Sequence, residues 1–145
     1  MRLLILSRKG KRKMIMMVTL PVLLVTLALG GALLFTSGER REAKNLPIKS
    51  VDFKQLHDGT YVGEYEGGMY KWRANKIQVT ISKRKVTDIK LLEHKEKNSS
   101  EITNTLFNRV IQSQSLQVDT ISGATLTSKA YLKGIENALV EAQEK

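Results

Sequence analysis

Residues 118–130 read VDTISGATLTSKA. Asp119, Thr120, Ser122, Thr125, Thr127 and Ser128 crowd around one Gly-Ala step, Gly123-Ala124. Gly123 permits a tight turn and a close approach of backbone to ligand. Serine and threonine hydroxyls satisfy free N–H groups at a helix start. That helix start also offers its donors, and a partial positive charge, to a phosphate. Asp119 is suited to holding such a turn by accepting bonds from backbone or hydroxyl donors. On composition alone the stretch is an ordinary hydroxyl-rich cap. The chemical reading makes it a phosphate cradle as well.

Other candidate groups are fewer. Tyr65, Tyr70 and Trp72 surround Gly67-Gly68. They read either as a cap on a sheet edge or as a rim where a flat ring meets the backbone. The two histidines, His57 and His94, are far apart and lack metal-ligand spacing. Ser122, His94 and Asp119 make a hydrolytic triad only on paper, because Ser122 lacks the G-x-S-x-G elbow. No Gly-rich dinucleotide fingerprint or Walker loop is present. With no cysteine in the chain, thiol nucleophiles, disulfides and cysteine–zinc sites are excluded. Lys83-Arg84-Lys85 reads as a solvated turn, with docking of an acidic partner as the alternative.

The elements that must position these groups follow from hydropathy period. Asp58-Gly59 is a turn signal, and Thr60-Tyr61-Val62 with Tyr65 favour a strand. Ile77, Val79 and Ile81 alternate with polar residues, as in a half-buried strand. Residues 86–92 resume strand character, and Val86, out of phase with Ile89 and Leu91, predicts a bulge or irregular turn. Residues 100–114 switch to a helical period through Ile102, Leu106 and Val110. Gln117-Val118 reads as a short strand, and a second amphipathic helix is expected from about Thr127 onward. The class is α+β: an antiparallel sheet covered by two helices.

The formal net charge of +10 is unevenly placed. Six of the 24 basic residues precede residue 14, leaving 18 basic against 14 acidic residues. Met14–Phe35 follows, 22 residues without a charge. At about 1.5 Å per residue, a helix of that length crosses a bilayer core of about 30 Å. The basic tail predicts a cytoplasmic N-terminus and an extracytoplasmic remainder. It reads as a topology signal touching anionic lipid, and not as a nucleic-acid arm. Ala28-Leu29-Gly30 leaves cleavage as an alternative, but the apolar run exceeds a usual signal core, which favours an uncleaved anchor. The expected organisation is a basic tail 1–13, a transmembrane helix 14–35, a linker 36–55 and a domain 56–145.

The run from Asp119 through Ser122-Gly123-Ala124-Thr125 to Thr127-Ser128 resembles the flavinylation motif of the FMN-binding domain family. That family includes the C subunit of sodium-pumping NADH:quinone reductase and the G subunit of the Rnf complex. The resemblance spans about residues 56–140, with DGTYVGEYEGG near its start and LLEHKEK after the third strand. It implies FMN joined through its phosphate to Thr125. Ser122, Gly123 and Ala124 would shape the phosphate loop, with Thr127 and Ser128 as further donors. Asp119 matches the family's acid, with a role in turn geometry or transferase recognition. The flavin rim would be Tyr65, Gly67, Gly68, Tyr70, Trp72 and His94.

The resemblance further implies maturation by a flavin transferase dependent on FAD and magnesium, outside the cytoplasmic membrane. It implies electron transfer between a membrane redox protein or quinone-linked dehydrogenase and an external acceptor. No residue looks like a substrate acid or base, which favours an electron carrier or oxidoreductase subunit over a stand-alone enzyme. Two departures stand out. The turn at 82–85 lacks the Asp-Gly or Asn-Gly of relatives. His94-Lys95-Glu96-Lys97 lacks the threonine of the family's His-x-Glu-Thr. Non-covalent binding of FMN or another phosphate ligand, and a non-redox interaction module, are the competing expectations.

Overall fold

The computed structural model describes residues 8–96 and 100–144. The chain divides into two compact units, residues 1–38 and 39–145. Helix α1 (Arg8–Lys44) contains the apolar run, with Pro21 inside it. Its side chains from Met14 to Phe35 are exposed, and its mean hydropathy reaches 2.3. By length and composition this helix is able to cross a membrane.

The second unit is a three-stranded antiparallel sheet with two helices, in the order β1-β2-β3 across the sheet. Strand β1 (Gly59–Tyr65) pairs with β2 (Asn75–Ser82), Tyr61 opposite Val79. β2 pairs in turn with β3 (Lys85–His94), Val79 opposite Ile89. Asn75, Ile77, Val79 and Ile81 alternate inward along β2. The expected irregularity at Val86 is real. Thr80 faces Asp88 while Ile81 faces Val86, so one residue of β3 is unmatched. That extra residue returns Val86 to the core beside Ile89.

Helix α2 (Ser100–Ser113) buries Leu106, Phe107 and Val110, and α3 (Thr125–Glu144) buries Tyr131, Ile135 and Leu139. Glycine allows α3 to lie directly on the sheet. A Cβ on Gly63 would run into the Gly134 carbonyl and the Ala138 amide. A Cβ on Gly134 would meet the Asn75 side chain. Asn75 uses its buried position to tie the layers together. Its Nδ2 donates to the Ala130 carbonyl of α3 and the Arg73 carbonyl, each at 3.0 Å.

The structure departs from the expected boundaries in three places. Residues 36–44 are helical, because Glu39-Arg-Arg-Glu-Ala-Lys44 is rich in helix formers. Glu39 and Ala43 are buried in the domain, and Ile48, Val51 and Phe53 pack against its core. The stretch 36–55 is thus largely part of the folded unit. Gln117-Val118 forms no strand. The Gln117 N–H bonds the Ser115 hydroxyl instead, and no sheet strand takes up the neighbouring backbone. Finally, α3 begins at Thr125, two residues before Thr127.

Candidate functional site

The Thr125 loop is built by backbone geometry. The Ala124 N–H bonds the Ile121 carbonyl at 2.9 Å, closing a turn over Ser122 and Gly123. Gly123 has φ +77°, which a type II turn requires at that place. The Ser128 N–H bonds the Ala124 carbonyl at 2.8 Å, so Ala124 is the N-cap and Thr125 the first helical residue. The N–H groups of Thr125, Leu126 and Thr127 therefore have no intrahelical partner. The capping residue is an alanine, so no cap side chain covers them.

Thr125 is exposed at this helix start. The side of Gly123 where a Cβ would stand is open, with no atom within 4 Å. An exposed hydroxyl, an open turn and three unpaired N–H donors together fit one phosphate monoester or diester.

Two side chains brace the loop from behind. The Ser128 hydroxyl is fully buried; it accepts the Ile121 N–H at 3.1 Å and donates to the Ala124 carbonyl at 2.8 Å. Its proton is thereby committed inside the protein, so Ser128 shapes the loop where it was expected to donate to phosphate. Arg109 of α2 donates through Nη1 to the Asp119 carbonyl at 2.6 Å and the Thr120 carbonyl at 3.3 Å. The Asp119 residue is exposed, and what the protein holds is its main chain. Arg109 escaped the sequence reading, because a guanidinium that grips main-chain carbonyls requires no particular residue at its target. Only its place on the polar side of α2, ten residues before Asp119, could have hinted at it.

The expected ring-binding residues separate into two groups. Tyr65 and His94 line a cleft of about 300 Å³ at one end of the sheet, with Ala74, Asn75 and Lys95. A narrow gap shares Ala74, His94 and Lys95 with that cleft and includes Thr127. The cleft and the Thr125 helix start are thus neighbours. Burial holds the Tyr65 phenol above its usual pKa, reinforced by the Glu42 and Glu39 carboxylates, so it stays a neutral donor. His94 Nδ1 lies 2.6 Å from the Glu96 carbonyl.

The other rim residues do not line this cleft. Gly67, at φ +90°, packs on the backbone of Arg73 and Ala74, and Gly68 lies against Glu39 and Glu42. These glycines fold the 66–74 loop back on itself. Tyr70 and Trp72 pack on each other with ring centroids 5.2 Å apart. Lys97, in the departing His-x-Glu-Thr position, is outside the described residues.

An antiparallel sheet under two helices, with a phosphate-ready helix start beside a cleft, defines a small α+β cofactor-binding domain. Residues 71–140 match the model of the FMN-binding domain family. An NADH:acrylate oxidoreductase of Vibrio harveyi is 35% identical over 103 residues, which cover 68% of this chain. The chain spans 9% of the length of that relative. The CPE2226 protein of Clostridium perfringens aligns with a TM-score of 0.49 and 26% identity, over 61% of this chain and 90% of that one.

Proposed function

We propose that this chain is a membrane-anchored electron carrier with FMN in phosphoester linkage to Thr125. One observation carries the reading: the exposed Thr125 hydroxyl stands at the first helical position, beside three unpaired N–H groups and an open glycine turn. That geometry suits a phosphate which is both attached and hydrogen-bonded. In attachment, Thr125 Oγ bonds to the FMN phosphorus of FAD as the bond to AMP breaks. AMP leaves, and a base of the flavin transferase takes the hydroxyl proton.

When bound, the flavin supplies one- or two-electron chemistry, and the protein supplies position and surroundings. Thr125 and the N–H groups of residues 125–127 would hold the phosphate. Tyr65, Asn75 and His94 would border the ring. The similarity to an NADH:acrylate oxidoreductase supports redox work. The partner would be a membrane redox protein or quinone-linked dehydrogenase. The apolar part of α1 would anchor the carrier, N-terminus inside and domain outside. A permanent link is useful there, because no external FMN pool replaces a lost cofactor.

The test is co-expression of the full chain with a flavin transferase, followed by denaturing electrophoresis and intact-mass measurement. A fluorescent band heavier by one FMN less water, abolished in Thr125→Ala, is the expected result. A dark band with FMN retained only under native conditions would support non-covalent binding. No flavin in either state would leave an interaction module. Fluorescence surviving Thr125→Ala would move the linkage, with Thr127 next in line. For topology, Ser50→Cys in this cysteine-free chain should react with a membrane-impermeant maleimide on intact cells.

A further inference from the structure

We propose that Arg109 is a positioning residue for flavin attachment. It would hold the Thr125 loop in the form that the flavin transferase accepts. This rests on the reading of Thr125 as the attachment site. The segment from Gln117 to Ala124 belongs to no helix or strand, so no ladder of backbone bonds fixes it. Val118 and Ile121 rest against the core, and the main chain between and after them is held by a few hydrogen bonds. At the C-terminal end, Ser128 grips Ile121 and Ala124 from inside α3. At the N-terminal end, the matching grip is Arg109, through the carbonyls of Asp119 and Thr120.

The two grips differ in kind. The Ser128 hydroxyl is buried in the body of the domain, so its loss disturbs packing. Arg109 is half-buried and reaches across from α2 to main chain alone. Phe107, two residues before it, and Val110, just after it, already bury their side chains in the core, so α2 is seated without it. A guanidinium with several donors in a fixed plane is well suited to holding two adjacent carbonyls at once. Loss of that grip frees residues 119 and 120 while leaving the helices packed.

The consequence falls on transfer chemistry. A transferase must align Thr125 Oγ with the phosphorus of FAD. A displacement of about 1 Å in such an alignment costs on the order of a hundredfold in rate. The grip also turns the carbonyl oxygens of Asp119 and Thr120 toward Arg109. They are then occupied, and do not face an incoming phosphate as free acceptors.

The experiment compares the full chain with its Arg109→Ala and Arg109→Lys forms, each purified without flavin. Initial rates of flavin transfer are measured with purified transferase, FAD and magnesium over a range of protein concentrations. Amide exchange is followed in parallel at Ile121 and Ala124, and at Leu106 and Val110 of α2 as internal controls. For Arg109→Ala we expect kcat/KM to fall roughly ten- to a hundredfold. Exchange should quicken at Ile121 and Ala124 while the α2 amides keep their protection. Arg109→Lys retains a donor at that place, and should recover most of the rate and the protection.

Wild-type transfer with wild-type exchange in Arg109→Ala would overturn the proposal. So would slow transfer with exchange raised equally in α2, because the residue would then act on general stability. If the unaltered chain accepts no flavin at all, the reading of Thr125 falls. The exchange comparison then decides separately whether Arg109 orders this loop.

Discussion

The amide N–H of Ile121 donates to the hydroxyl of Ser128, seven residues later in the chain, with nitrogen and oxygen 3.1 Å apart. That hydroxyl in turn donates to the Ala124 carbonyl at 2.8 Å. One buried side chain therefore closes the loop in front of Thr125 and starts the helix behind it.

The Ser128→Ala substitution leaves the Ile121 N–H without its acceptor. An orphaned amide in such a place costs about 1–3 kcal/mol. A domain of this size should lose several degrees of thermal stability. Thermal unfolding of the full chain in detergent checks this. Ser128→Thr keeps the hydroxyl, but its extra methyl must fit a site that is already closed, so only partial recovery is expected. An unchanged melting temperature in Ser128→Ala would contradict the role given to this pair.

How much of this was legible beforehand varies with the physical signal. Strands and helices with a clear apolar period stood out: Ile77, Val79 and Ile81 in β2, and Leu106 and Val110 in α2. Even the bulge near Val86 showed in its broken phase. The Thr125 turn was visible because glycine and hydroxyl residues mark such turns by type. The buried end of α1 was not. Glu39 looks like a solvated charge until its partner Arg73, 34 residues later, is seen beside it. Arg109 was equally silent, since side-chain bonds to main chain leave no mark on the sequence they hold. The short strand at Gln117-Val118 failed for the opposite reason: its composition suits a strand, but no neighbour offers a ladder.

Two glycines should respond very differently to alanine. At Gly63 the new Cβ would collide with backbone atoms of Gly134 and Ala138, and neither helix nor strand is free to retreat. A loss of about 3 kcal/mol or more is expected from such overpacking, up to failure to fold. At Gly123 the Cβ enters open space, and only the φ of +77° is strained, at about 1–2 kcal/mol. Gly123→Ala should therefore fold, yet accept flavin slowly, because the methyl intrudes on the cradle. Equal damage from the two substitutions in unfolding and transfer assays would refute this distinction.

Acid should act on the domain through Asp58. The β2–β3 turn holds Lys83 and Arg84 at φ 53° and 59°, a turn that ordinarily favours Asn-Gly. The Asp58 carboxylate accepts both of their amide protons at 2.8 Å. The bond from Arg84, then that from Lys83, lowers its pKa below the usual aspartate value. A pKa depressed on folding gives stability that is present above the unfolded value. It is lost as pH falls from about 3.9 through the lower folded pKa. Comparing Asp58→Asn with the unaltered chain by denaturant midpoint from pH 6 to pH 2.5 isolates this contribution. The gap should narrow only at the acid end. A constant gap across the range would assign the pH response to other groups.

The buried pair of Arg73 and Glu39 offers the sharpest test that the end of α1 belongs to the domain. Arg73 Nη1 lies 3.0 Å from Glu39 Oε1, and the Glu39 side chain is 2% exposed. The second partner, Glu96, is 3.6 Å from Arg73 Nε and more open, so it contributes less. Arg73→Met would leave the Glu39 charge buried and unpaired, at a cost of about 3–5 kcal/mol. Replacing both residues, as Arg73→Met with Glu39→Leu, removes the stranded charge and should recover most of the loss. A double-mutant cycle by denaturant unfolding measures the coupling directly. If the segment 36–44 were a free linker, the single and double substitutions would be equally mild. A coupling near zero would therefore return that segment to the role its charges first suggested.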